Sequence, residues 1–160
     1  VRLSDSMDVL LIPREVVFRD FPGGCLPRFQ EIKEYLEVRN VTASDIVNQT
    51  FNDVVVVSHR WLSPDNPDVT GEQLAAIRSF LIKNEWVEFI WFDFCSLPQG
   101  ERNLAETTYF HAALKFVNLL YLHAHVLILL DAKYQTRFWC LYETFLATHK
   151  FNGALVPEGS

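Results

Sequence analysis

Two hydrophobic periods alternate along the chain and switch at short polar loops. Residues 54–57 are consecutive valines, β-branched and without a polar face, which predicts a central strand of a parallel sheet running to Ser58. Residues 86–92 and 126–130 are two further apolar runs of strand length. Between and after them the period becomes helical. Leu74, Ile77, Leu81 and Ile82 predict an amphipathic helix to about Lys83, with Thr70 and Gln73 at capping-box spacing before it. Asn103 and Glu106 repeat that spacing and open a helix to about Tyr121. A last helix spans residues 136–150.

Upstream the pattern is weaker. Residues 9–12 and 16–18 predict short strands separated by Pro13, followed by a turn at Pro22-Gly23-Gly24. Phe29, Ile32, Tyr35 and Leu36 recur at helical spacing over residues 26–38, with Pro27 suited to a first turn. A shorter helix over 43–49 would be capped by Thr42. The order strand, helix, strand, helix, strand, helix predicts right-handed crossovers. The expected fold class is therefore α/β: a small doubly wound, mainly parallel sheet with helices on both faces. Residues 1–52 read as an N-terminal extension packing on the core, 53–150 as the α/β core, and 151–160 as a C-terminal tail.

Composition narrows the function. A formal charge of −6 with no basic block argues against nucleic acid as the main partner. No apolar stretch approaches the ~18 residues of a membrane span, and no segment reads as a signal peptide. Cys25, Cys95 and Cys140 are widely spaced and odd in number, which fits neither a zinc site nor a disulfide framework and suggests a reduced, cytoplasmic setting. The chain opens at Val1, which reads as a piece of a longer precursor with partner domains outside it. No GxGxxG, GxxxxGK[ST] or GxSxG motif is present.

Ligands of an open parallel sheet bind at the carboxyl ends of its strands. Three polar and aromatic stretches fall there: residues 58–61, 93–100 and 131–137. Glu143 lies one to two turns into the last helix, on a side shared with Trp139, Cys140 and Ala147. From periodicity alone it is either a solvated helix carboxylate or a perturbed site group. Arg60 could bind phosphate or pair with Asp93. His59 and Cys140 raise a Cys–His nucleophile against an inert buried thiol. His123 and His125 read as metal ligands or, more simply, as packing, and Trp86, Trp91 and Trp139 mainly as core.

These residues also form a known set. VVVVSHRW, WFDFCSLPQGERN and WCLYE resemble the TIR-domain superfamily: a core strand ending in a Ser-containing turn, a strand with a mobile loop in which Leu97 and Gly100 fall at recurrent positions, and a Trp-Cys-x-x-Glu helix. The related HET domains carry a Ser-x-x-Trp turn, a Trp-x-Asp-x-x-Cys stretch with a downstream Gln, and an Arg-x-Trp-x-x-x-Glu helix. Residues 58–61, 91–99 and 137–143 are similar to these. The resemblance covers roughly residues 53–148 and leans towards TIR. A typical TIR domain continues with two more strand–helix units, where this sequence has FNGALVPEGS. Either the N-terminal region supplies the missing strands, or the domain is a minimal variant.

The resemblance implies cleavage of NAD⁺ between nicotinamide and ribose, to ADP-ribose or a cyclic or variant form, in immune or cell-death signalling. It makes Glu143 the catalytic carboxylate. The expected substrate-binding set is Ser58, His59, Arg60, Trp61, Asp93, Leu97, Trp139 and Cys140, with NAD⁺ as substrate, no cofactor and no metal. Glycosidases need two carboxyls because an alkoxide leaving group must be protonated. Nicotinamide leaves as a neutral base, so one anion beside an oxocarbenium-like ribose suffices, with Trp61 as a stacking platform. Self-association and a fused or partner effector domain are the expected partnerships. The alternatives are a non-catalytic signalling module acting by self-association, and a sensor of NAD-derived nucleotides.

Overall fold

The computed structural model describes residues 6–42, 44, 45, 48, 51–151 and 155–157. Its centre is β3 (Val54–Ser58), buried throughout. β3 pairs in parallel with β4 (Phe89–Trp91) on one side and β5 (His125–Ile128) on the other. β-Branched side chains on both faces suit a strand with helices above and below. Alternate valines serve opposite faces. Val54 and Val56 join Trp91, Phe116, Leu120 and Leu146 in one core; Val55 and Val57 join Ile90, Leu74, Ile77 and Leu81 in the other. The first core lies under α5 (Leu104–His123) and α6 (Phe138–Ala147), the second under α3 (Glu72–Lys83) and the single turn α4 (Asp93–Ser96).

The sheet is mixed, a departure from the mainly parallel one expected. β1 (Ser6–Pro13) enters it antiparallel to β4, with Ile12 opposite Ile90, and β2 (Glu37–Thr42) closes that edge antiparallel to β1. The order is β2-β1-β4-β3-β5. The first fifty residues thus supply two strands of the sheet. The helix expected over 26–38 stops after one turn, α2 (Phe29–Ile32), and a 3₁₀ turn. Pairing of Glu37–Thr42 along β1 overrides the helical period. Val41 is buried, while Arg39 chelates Asp53 at 2.7 and 2.9 Å. The expected strand at 16–18 is likewise mostly a helical turn, α1 (Arg14–Val17). Arg14 from this turn donates to the carbonyls of Leu81, Asn84 and Val87, capping the end of α3. Thr42 does cap a turn, accepting from Asp45 N at 3.0 Å; most of the 43–49 helix lies outside the described residues.

Asn103 and Glu106 form the expected capping box of α5. Thr70 does not cap α3. That helix starts after Gly71 (φ 74°), and the fully buried Asp68 accepts from Gln73 N (2.8 Å), Leu74 N (3.0 Å) and Leu26 N (3.3 Å). Asp68 therefore joins the helix start to the N-terminal loop. Gly71 packs so closely there that a Cβ would stand 2.5 Å from Gly24 O. Gln73 in turn donates to the carbonyls of Arg60 and Pro67, holding the loop after β3. α6 ends at Ala147, short of the expected Lys150, and a separate antiparallel pair follows, β6 (His149–Phe151) with β7 (Leu155–Pro157). No described helix is long and apolar enough to cross a membrane.

Asp68→Ala strips three backbone donors of their buried acceptor. It is expected to cost about 2–3 kcal/mol, with Asp68→Asn recovering part of the loss. Urea unfolding reads this as a lower midpoint at unchanged slope.

Candidate active site

The three strand-end stretches meet at a cavity of about 620 Å³. Of the residues anticipated for the site, His59, Arg60, Trp61, Asp93, Leu97, Trp139, Cys140 and Glu143 all line it. Ser58 does not. It is fully buried at the end of β3, beneath the cavity, and its hydroxyl donates to Glu143 Oε2 at 2.5 Å.

The turn after β3 divides its side chains between the loops that follow β4 and β5. His59 and Trp61 reach towards β4, where both bond Asp93: His59 Nε2 at 2.8 Å and Trp61 Nε1 at 3.1 Å. Arg60 reaches the other way. Its partner is Asp131 after β5, at 2.7 and 3.1 Å from Nε, and the expected pair with Asp93 does not form. Burial alone would raise the Asp93 carboxyl, but the charge and hydrogen bond of His59, the Trp61 donor and Phe94 N together hold it below the usual range. Asp131 is held low chiefly by its bond to Arg60. Both acids are anions committed to neighbours.

Glu143 is different. Burial lifts its carboxyl from an ordinary 4.5 to about 7, and the negative charge of Asp93 adds to the rise. The Ser58 hydroxyl, His59 and the Tyr121 hydroxyl pull it back only partly. It is the one cavity carboxyl poised to change charge near neutrality, the condition suited to proton transfer or to stabilising a transient cation.

Cys140 and His59 do not form the hydrogen-bonded pair of a Cys–His nucleophile. Burial and nearby Glu143 push its thiol up to about 11, and Sγ donates to the backbone carbonyl of His59, not to its ring. The His59 ring stacks on Phe92 at 4.0 Å, and its buried Nδ1 has no hydrogen-bond partner among the described residues. Of the tryptophans read as core, only Trp91 is; Trp86 is 44% exposed and Trp139 68%. Trp86 meets the exposed His125 edge-on, with ring centroids 4.6 Å apart. The described residues contain no group of three His, Cys, Asp or Glu able to hold a metal.

Several site residues received no individual role from the sequence, although Arg137 and Tyr134 fall in the strand-end stretch 131–137. Arg102 and Arg137 line the cavity and form no ion pair among the described residues. Arg102 donates to Pro98 O at 2.7 Å and lies 3.7 Å over the Phe110 ring. Tyr121 and Asn118 come from α5, a helix that had looked purely structural. Tyr134 lies behind Glu143 and bonds Ser58. No spacing rule joins the whole set, because its members come from the loop before α5, from α5 itself, and from the segment before α6.

Compared with family models, characterised proteins and solved structures, the chain matches none.

The raised Glu143 has a stability consequence. Its folded value lies above its unfolded one, so its contribution is complete below about pH 4.5 and is lost as pH rises through about 7. Glu143→Gln cannot ionise. It is expected to match the wild type at pH 4 and exceed it by about 3 kcal/mol above pH 8; denaturant melts across pH 4–9 measure the difference.

Proposed function

We propose that the protein is a TIR-type NAD⁺ nucleosidase, with Glu143 as its catalytic carboxylate. The observation that carries this reading is the placement of the WCLYE carboxylate in a ligand-sized cavity whose other acid, Asp93, is locked by His59 and Trp61. One available carboxyl is what loss of a neutral nicotinamide requires. Breaking the C–N bond returns an electron pair to the pyridine ring and leaves a cationic ribose, which ionised Glu143 stabilises until water or an internal adenine nitrogen captures it. Trp61, fixed edge-on against Phe94 and by its bond to Asp93, offers the flat wall for the nicotinamide ring. Arg102 and Arg137 are the cavity cations suited to the diphosphate. The order β4-β3-β5, parallel and covered on both faces, supports a doubly wound TIR-like core, to which β1 and β2 add an antiparallel edge. A cytoplasmic role in immune or cell-death signalling, with an effector domain fused or in partnership, belongs to the same reading.

A second reading, a signalling module that self-associates without turnover, is favoured by a single feature. Phe138, Trp139, Leu141 and Phe145 leave an exposed apolar face on α6.

The two readings separate on purified protein incubated with NAD⁺, following nicotinamide release by chromatography. The expected outcome is release that rises with pH through about 7 as Glu143 ionises, and falls at least ~100-fold in Glu143→Gln. Undiminished release from the variant, or none from the wild type even when clustered on a scaffold, would sink the enzymatic reading.

A further inference from the structure

Behind Glu143, on the side away from the cavity, runs a chain of hydroxyls that nothing in the reaction itself calls for. Ser58 Oγ lies 2.5 Å from Glu143 Oε2 and 2.5 Å from Tyr134 Oη. Tyr134 Oη lies 3.1 Å from Cys140 O and 3.1 Å from Thr144 Oγ1, and Thr144 Oγ1 lies 2.9 Å from Cys140 O. Tyr134 is 1% exposed and does not line the cavity. It sits in a 3₁₀ turn, Tyr134–Thr136, set by Asp131, whose carbonyl accepts from Tyr134 N and whose carboxylate accepts from Lys133 N while clamping Arg60.

We propose that Tyr134 is a positioning residue which, through Ser58, orients a reversible hydrogen-bond chain onto Glu143 and favours its ionised form. This rests on the reading of Glu143 as the charge-bearing group of the site. The count of protons supports it. With Glu143 ionised, Ser58 donates to the carboxylate, Tyr134 donates to Ser58, and Thr144 donates to Tyr134. With Glu143 protonated, its hydroxyl donates to Ser58, Ser58 donates to Tyr134, and Tyr134 donates to Cys140 O. Every donor has an acceptor in both states. Only hydroxyl rotors turn; the single O–H bond made or broken is on the carboxyl, which exchanges its proton with water.

The two states are not equal. Hydrogen bonds ending on a charged acceptor are roughly twice as strong as neutral ones, and aligned hydroxyls reinforce each other. The chain therefore opposes the burial that raises Glu143. The other groups facing the carboxyl are Asp93 from α4, which disfavours its charge, and His59 and the Tyr121 hydroxyl, which favour it. Cys140, on the same helix, is a neutral thiol near pH 7. None of these requires Tyr134.

The test is carboxyl NMR on protein labelled at glutamate side chains, with Glu143 assigned by its loss in Glu143→Gln. Titrations would cover the wild type, Tyr134→Phe, Ser58→Ala and the double variant, alongside the pH profile of NAD⁺ cleavage. Tyr134→Phe is expected to move the Glu143 midpoint upward, a roughly tenfold fall in its dissociation constant, and to shift the acid limb of the activity profile equally. In the Ser58→Ala background the same substitution is expected to do nothing further. An unchanged or lowered midpoint overturns the proposal, as does an equal shift when Ser58 is absent. A midpoint that moves in a protein that never cleaves NAD⁺ keeps the chain and discards the enzymatic reading. Should Tyr134→Phe fail to fold, Thr144→Val removes only the outer end of the chain; its midpoint is expected to rise by less, and no rise overturns the proposal.

Discussion

A half-buried carboxyl group packed against the end of the central strand is the constraint around which the site is arranged. An isolated buried carboxylate is costly, and a protein keeps one only by supplying donors or by letting it take up a proton. Glu143 has both kinds of relief. Ser58 donates to it, and burial leaves it balanced near pH 7. Neither is available without β3, whose last residue must be buried and aimed at α6. That requires the valines before it to be covered on both faces, the task of the two helical layers.

Charge around the cavity is divided between two loops. His59 and Trp61 commit Asp93 after β4, and Asp131 after β5 commits Arg60. As arranged, each loop is tied to the one beside it, and the proposed catalytic group is left as the only cavity carboxyl without an ion-pair partner among the described residues. The loops are also tied from outside, where Asp68 and Gln73 at the start of α3 hold the turn after β3 and the N-terminal loop.

Much of the central architecture was legible because local signals agreed with their surroundings. Four valines mean a strand buried on both faces, and Asn103 with Glu106 make the box their spacing promises. The convergence of three strand-end stretches was legible too, since the strands are parallel and their carboxyl ends must point one way. Residues 26–38 misled because four positions at helical spacing are weak evidence against six backbone pairs along a neighbouring strand. Thr70 misled because Asp68, two residues earlier and fully buried, offers two carboxylate oxygens where threonine offers one hydroxyl.

The sequence by itself determined the three parallel strands, the helices after them, and the short list of loops where chemistry could lie, because these depend on period and on residues close in the chain. It placed Glu143 on a helix face with Trp139 and Cys140. Tertiary structure alone decided what that carboxyl experiences. Ser58 is 85 residues away from it in sequence, and Tyr134 is 76 residues from Ser58. Hydrogen bonds and desolvation depend on distances of a few ångströms between such groups, and only packing of β3 against α6 sets those distances.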